Sequence, residues 1–279
     1  MGANANETIE LGLGSTKASE IGTKRFDLSG ATAGLGEASA ADTAANAAAN
    51  GNGVATSSID ITGKSGTAIT ILTTAGASAS SIADSINAVT SKTGVTADAK
   101  SQVQLTGLTA GGALSFKLNG SVIAANPDSP SDYASISSAI NEKSGSTGVS
   151  ATLTETGTLV LTDESGADIK IDEFTASGDI VATGLNYDSS ATGSTPITLA
   201  GAGTTNSTVI AGTIRLDSTE SFAVISNDDT LGADTTVHVS ESINVDGVDL
   251  RTQAGAQSSI DVIDSAISQI DAQRATLGA

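Results

Sequence analysis

The chain has 279 residues, with 31 acidic against 12 basic side chains, a net charge of −19 and no cysteine. That charge repels a phosphate backbone and excludes broad nucleic-acid binding, the lack of cysteine excludes a disulfide framework or thiolate metal site, and no apolar run approaches the roughly 20 residues of a membrane span. Hydrophobic residues make up 38% but aromatics only 2%, so the cores rest on small aliphatic side chains, and abundant Gly with only three prolines suits short strands joined by tight turns.

Ile9, Leu11 and Leu13 alternate with polar or glycine positions and predict a short strand, and Ile21–Leu28 predicts a second. The Ala-rich stretch Glu37–Asn50 reads as a short helix or a linker, with the propensity of Ala favouring the helix. A degenerate repeat follows. Ile82–Ala97 reads IADSINAVTSKTGVTA and Ile136–Ala151 reads ISSAINEKSGSTGVSA, which aligns Ile86-Asn87 with Ile140-Asn141 and Gly94-Val95 with Gly148-Val149 at a constant offset of 54.

Each copy opens with paired strands, Ile59–Ile61 with Ile69–Leu72 and Leu114–Leu118 with Val122–Ala124. The second pair turns at Asn119-Gly120, where both residues tolerate positive φ. A helix comes next, with Ile82, Ile86 and Val89, or Tyr133, Ile136 and Ile140, on one face and Gly94 and Gly145 or Gly148 near the ends. Strands Val103–Leu105 and Leu159–Leu161 close the copies. Two copies are too few for a solenoid, so two compact α+β units are expected. From Phe174 to Asp229 the pattern is strands and Ser/Thr/Gly loops, notably Pro196–Leu199, Thr208–Leu216 and Ser221–Ile225.

Strand signals return at Thr236–Ser240 and Ser242–Leu250, and Gln253–Leu277 then reads as one helix, roughly 37 Å long. Ile260, Ile263, Ile267, Ile270, Arg274 and Leu277 recur at spacings of three, four, three, four and three, the a/d repeat of a coiled-coil seam with one charged position. The seam is still running where the sequence stops, so the helix is expected to continue. Its five apolar residues represent on the order of 10 kcal/mol of burial, with no obvious partner surface in this chain. The fold class expected is α+β: a β-rich multidomain chain with a discontinuous terminal domain (1–50 and 230–279) carrying the long C-terminal helix. Inserted in it is an outer region (51–229), with two ββα-type repeat units at about 59–110 and 111–172 and a β segment at about 174–229.

No catalytic set can be assembled. The single His238 sits in the alternating strand pattern Thr-Val-His-Val-Ser and reads as structural, and there is neither a G-x-S-x-G elbow nor a Ser/His/Asp set. No cofactor or metal site is expected. Asn244-Val-Asp246-Gly247-Val-Asp249 has the look of a calcium loop but lacks the downstream bidentate Glu, so it reads as a strand turn. Residues 59–172 hold six lysines, Lys64, Lys92, Lys100, Lys117, Lys143 and Lys170, against 11 acids, a balance of −5 that leaves −14 for the rest. The alternative reading is therefore a surface module that holds an acidic polysaccharide or host glycan on these lysines, with Tyr133 or Tyr187 stacking on a sugar.

The closing stretch INVDGVDLRTQAGAQSSIDVIDSAISQIDAQRATLGA closely resembles the start of the flagellin C-terminal region. The opening GANANETIELGLG resembles the strand that follows the long N-terminal helices of that family. SINAVTSKTGVTA and AINEKSGSTGVSA are similar to the IN motif in the variable region of flagellins and some hook-associated proteins. The resemblance implies a rod-shaped, non-enzymatic subunit of the bacterial flagellar filament, secreted to the cell surface and serving motility. Terminal helices would pack against other flagellin subunits, while the variable middle projects into the medium. It further implies a fragment without the N-terminal helices and the last C-terminal helix, hence lost polymerisation. Recognition by an innate immune receptor would be weakened, with Gln273, Arg274 and Leu277 the nearest matching remnant. Neither nucleic acid nor membrane is an expected partner.

Overall fold

The computed structural model describes residues 15–190, 195–251 and 253–278. The predicted strand at Ile9–Leu13 lies outside the described residues. The chain is β-rich, with several antiparallel sheets and a long C-terminal helix.

In chain order, β1 (Gly22–Leu28) is followed by a short helix α1 (Ala44–Asn50), the hairpin β2 (Ser57–Thr62) and β3 (Ala68–Thr73), helices α2 (Ala79–Asn87) and α3 (Thr90–Thr93), and the long strand β4 (Thr96–Thr106). A second hairpin, β5 (Leu114–Leu118) and β6 (Ser121–Ala125), leads to α4 (Tyr133–Asn141), α5 (Ser144–Thr147), β7 (Ser150–Leu153) and β8 (Leu159–Asp163). The remaining strands are β9 (Ile169–Thr175), β10 (Ile180–Gly184), β11 (Ile197–Leu199), β12 (Thr208–Ile210), β13 (Thr213–Ser218), β14 (Ala223–Ser226), β15 (Val237–Val239) and β16 (Glu241–Asn244). A 3-10 turn at Val245–Gly247 precedes α6 (Gln253–Gly278).

The largest sheet runs β11-β10-β4-β13-β1-β16, with β8 also on β4 and β7 on β8; the two smaller sheets run β12-β9-β5-β6 and β15-β14-β2-β3. β4 is the axis of the molecule. Its first half pairs with β13, from Lys100↔Thr213 to Thr96↔Asp217, and its second half with β8, from Ser101↔Asp163 to Leu105↔Leu159. Two cores flank this strand. One gathers Ile59, Ile61, Ile82, Ile86, Ile214 and Phe222; the other gathers Phe116, Ile136, Ile140, Leu161, Ile171 and Phe174. Each is built almost entirely from aliphatic side chains, as the 2% aromatic content requires.

The two copies of the repeat fold by the same local chemistry. Ser78 caps α2 by accepting from the Ser81 amide, and Asp132 caps α4 by accepting from the Ser135 amide. Ile82 and Ile86 on α2, and Ile136 and Ile140 on α4, are buried. Beyond each helix, α3 and α5 end on Gly94 and Gly148, both at φ +75°, the left-handed conformation that L side chains resist. The asparagine of each Ile-Asn pair then clamps the strand ten residues on. The Asn87 side chain donates to the Ala97 carbonyl at 2.8 Å and accepts from the Ala97 amide at 2.8 Å. Asn141 makes the same pair of 2.8 Å bonds with Ala151.

Three elements depart from expectation. Helix covers only Ala44–Asn50 of the Glu37–Asn50 stretch, because the preceding residues find β partners: Ala38 bridges Ile210, Asp42 bridges Ser207, and the Ser39 hydroxyl accepts from the Val209 amide at 2.9 Å. The single strand expected at Thr208–Leu216 is broken at Ala211-Gly212 into β12 and β13, which join different sheets. Gly212 permits the crossing, since a Cβ there would stand 2.4 Å from the Ser101 hydroxyl. The strand expected over Ser242–Leu250 ends at Asn244, where the chain enters its 3-10 turn and the Asn244 side chain donates to the Ser19 carbonyl at 2.8 Å.

Candidate assembly surface

Helix α6 lies against β1 and the 3-10 turn. The stripe it buries is Ser259, Val262 and Ala266, and Gln269 extends that stripe by donating to the carbonyls of Gly22 at 2.7 Å and Thr219 at 3.3 Å. These positions also run three, four, three, offset by one residue from the predicted seam. Their side chains are small, so the helix backbone comes close to the sheet with little apolar area buried. The seam itself lies on the flank of the helix, about 100° round from that stripe. Ile260, Ile263, Ile267 and Leu277 are between 45 and 55% exposed, Ile270 is half-buried, and Arg274 is exposed beside Asp271 at 3.2 Å. The large apolar side chains thus form one half-exposed row along the helix.

Hydrogen bonds, more than apolar burial, seat α6. The buried Arg25 of β1 places Nε 2.8 Å from Asp217 on β13, donates from Nη1 to Ser258 on α6, and brings Nη2 within 3.5 Å of Asp261. Beside it, the buried Arg215 forms a two-pronged pair with Asp27 at 2.9 and 3.0 Å. The Arg215 guanidinium also lies 4.0 Å from the centre of the Tyr187 ring, and the Tyr187 hydroxyl donates to Asp98. Burial works against the Arg215 charge, but Asp27, Tyr187 and Asp217 outweigh it and raise its pKa. Burial, then the bond to Asp98, push the Tyr187 phenol far up, so the ring stays neutral.

The repeated asparagine clamp coincides with a known sequence family: the flagellin hook IN motif matches residues 58–111 and 113–165. A B-type flagellin from Pseudomonas aeruginosa is 28% identical over 177 residues, which cover 61% of this chain and 36% of that protein. The chain is flagellin-like. It spans about a third of the length of the curated relative it matches.

In this flagellin-like chain the lysines and tyrosines of the alternative reading do not form one surface. Lys64, in the β2–β3 turn, donates its amide to the Thr93 carbonyl and so lies beside Lys92 of α3, both exposed. Lys117 on β5 pairs with Glu173 at 2.7 Å, and Lys170 lies on the neighbouring β9. Lys143 is exposed just before α5. Lys100 is buried on β4, 3.6 Å from Glu164 and over the Tyr187 ring at 4.6 Å. The structure corrects the role expected for the two tyrosines. Tyr133 is buried in the second core with its hydroxyl accepting from the Leu108 amide at 3.0 Å, and Tyr187 is buried under Lys100 and Arg215, so neither ring offers a face to a sugar.

His238 of β15 stacks on Phe26 of β1 with ring centres 5.2 Å apart, a contact that ties the two strands, and its Nε2 meets Asp234 at 2.8 Å. Among the described residues no group of three or more His, Cys, Asp or Glu is placed to hold a metal, and no helix is long and apolar enough to cross a membrane. The sequence reading missed the clasp of Arg25, Arg215 and Tyr187. Its one legible signal was that Arg25 and Arg215 each stand in a strand, TKRFDL and TIRLDS, with an aspartate two residues on, where a buried cation needs an acidic partner.

Proposed function

We propose that this chain serves in a structural subunit of the bacterial flagellar filament, outside the cell, where it supports motility by packing and not by catalysis. The observation that carries the reading is the outward apolar seam of α6, on a helix held to the sheet by Arg25, Ser258 and Gln269. With the seam about half buried already, covering it fully would contribute on the order of 5 kcal/mol, enough to hold a neighbouring helix of the same or an adjacent subunit. On this reading the terminal elements form the core-adjacent part. The two IN-motif units then act as rigid ββα modules in the projecting region, each locked by its asparagine and its left-handed glycine.

The test is a chimera in which this chain replaces the matching segment of the Pseudomonas aeruginosa B-type flagellin, expressed in cells without their own flagellin. Filaments seen by electron microscopy, with swimming restored, are the expected result. Secretion of folded chimera without any filament would contradict the reading.

A further inference from the structure

The contact between α6 and the sheet has an imbalance of charge. A cleft of about 300 Å³ between the helix and strands β4 and β13 is lined by Thr96, Asp98, Asp217, Asp261, Asp264 and Ser265. Four of these side chains are carboxylates. The cations that face them are already engaged: Arg25 lies closer to Asp217, at 2.8 Å, than to Asp261, at 3.5 Å, and Arg215 is taken by both oxygens of Asp27. Asp98 is held by the Tyr187 hydroxyl. Asp261 therefore shares its nearest cation, Arg25, with the closer Asp217, so two carboxylates meet one guanidinium here, with Asp98 of β4 and Asp264 of the same helix lining the cleft as well. Little apolar burial opposes this repulsion, since the packed stripe of α6 consists of Ser259, Val262, Ala266 and the amide of Gln269.

We propose that this cleft is an acid-tightened latch, in which proton uptake by Asp261 seats α6 on the sheet and its ionisation raises the fraction of helix that swings free. Burial, then Asp217, push the Asp261 carboxyl above the usual carboxylate range, against the pull of Arg25 and Arg215. A carboxyl whose pKa is higher with the helix docked takes up a proton on docking. The docked state is therefore favoured in acid, and the gain fades as the pH rises through the raised pKa. The latch itself stands on the geometry of the cleft; only its consequence, a seam held in a fixed position in acid and looser at neutral pH, rests on the reading of α6 as a packing helix.

The chain has no cysteine, so spin labels can be placed at Ser268→Cys on α6 and Ser65→Cys in the β2–β3 turn alone, both exposed positions. Pulsed dipolar spectroscopy on the dilute monomer then reads docking and not assembly. The expected result is a narrow distance distribution at pH 4.5 that broadens at pH 7.5, whereas Asp261→Asn gives the narrow distribution at both. Circular dichroism confirms that the sheets are intact in each sample. A distribution that does not change with pH, one that broadens in acid, or an Asp261→Asn variant broader than the parent at pH 7.5 would each overturn the latch, the last by showing that the pair with Arg25 dominates.

Discussion

Replacing both motif asparagines, Asn87→Ala together with Asn141→Ala, is expected to destabilise the chain by about 4 kcal/mol, roughly 2 from each site. Each side chain closes two 2.8 Å bonds with one residue of the following strand, and Ala97 and Ala151 are buried, so truncation leaves a backbone N–H and C=O without partners and without water. The two clamps sit in different cores, so their effects should add. Chemical denaturation of the two single variants and the double variant checks this. Equal single losses that sum in the double are expected. A loss below about 0.5 kcal/mol at either site would show that the clamp is ornamental there.

Arg215→Met is expected to cost about 3 kcal/mol, although Met keeps much of the packing against the Tyr187 ring. The loss comes from the partners left behind. Asp27 loses both of its guanidinium bonds, and the Tyr187 ring loses the cation over its face. A double-mutant cycle with Asp27→Asn separates the terms. If the pair is the cause, Asp27→Asn on the Arg215→Met background should cost much less than on the parent; strictly additive losses would assign the effect to packing alone.

The sequence made the repeating parts of this fold readable where hydrophobic period and turn chemistry agreed. Ile82 and Ile86 with Gly94, Ile136 and Ile140 with Gly148, and the Asn119-Gly120 hairpin all specify their local structure within a few residues. Elsewhere partners distant in sequence decided the outcome. Nothing local told Ala38 and Asp42 to bridge Ile210 and Ser207 instead of extending an Ala-rich helix, and the split of Thr208–Leu216 depended on the close approach of Ser101 and Ala79 to Gly212. For the candidate site, the apolar seam of α6 was legible because large aliphatic residues mark it. The stripe that meets the sheet was not, because Ser259, Ala266 and Gln269 carry little hydrophobic signal and act through size and hydrogen bonds. Tyr133 and Tyr187 misled for a related reason: both rings are buried, Tyr133 in the second core with its hydroxyl bonded to the Leu108 amide, Tyr187 beneath Lys100 and Arg215 with its hydroxyl bonded to Asp98.

The outward seam of α6 is proposed to pack subunits together. The most direct measurement is the pelletable fraction of the chimeric flagellin carrying Ile263→Asp with Ile267→Asp, beside a control carrying Lys92→Ala with Lys143→Ala. Both isoleucines are about half exposed, so the folded monomer should lose little stability. The aspartate pair is expected to leave a folded but soluble protein while the lysine control sediments as filaments. Filaments formed equally by both would contradict it.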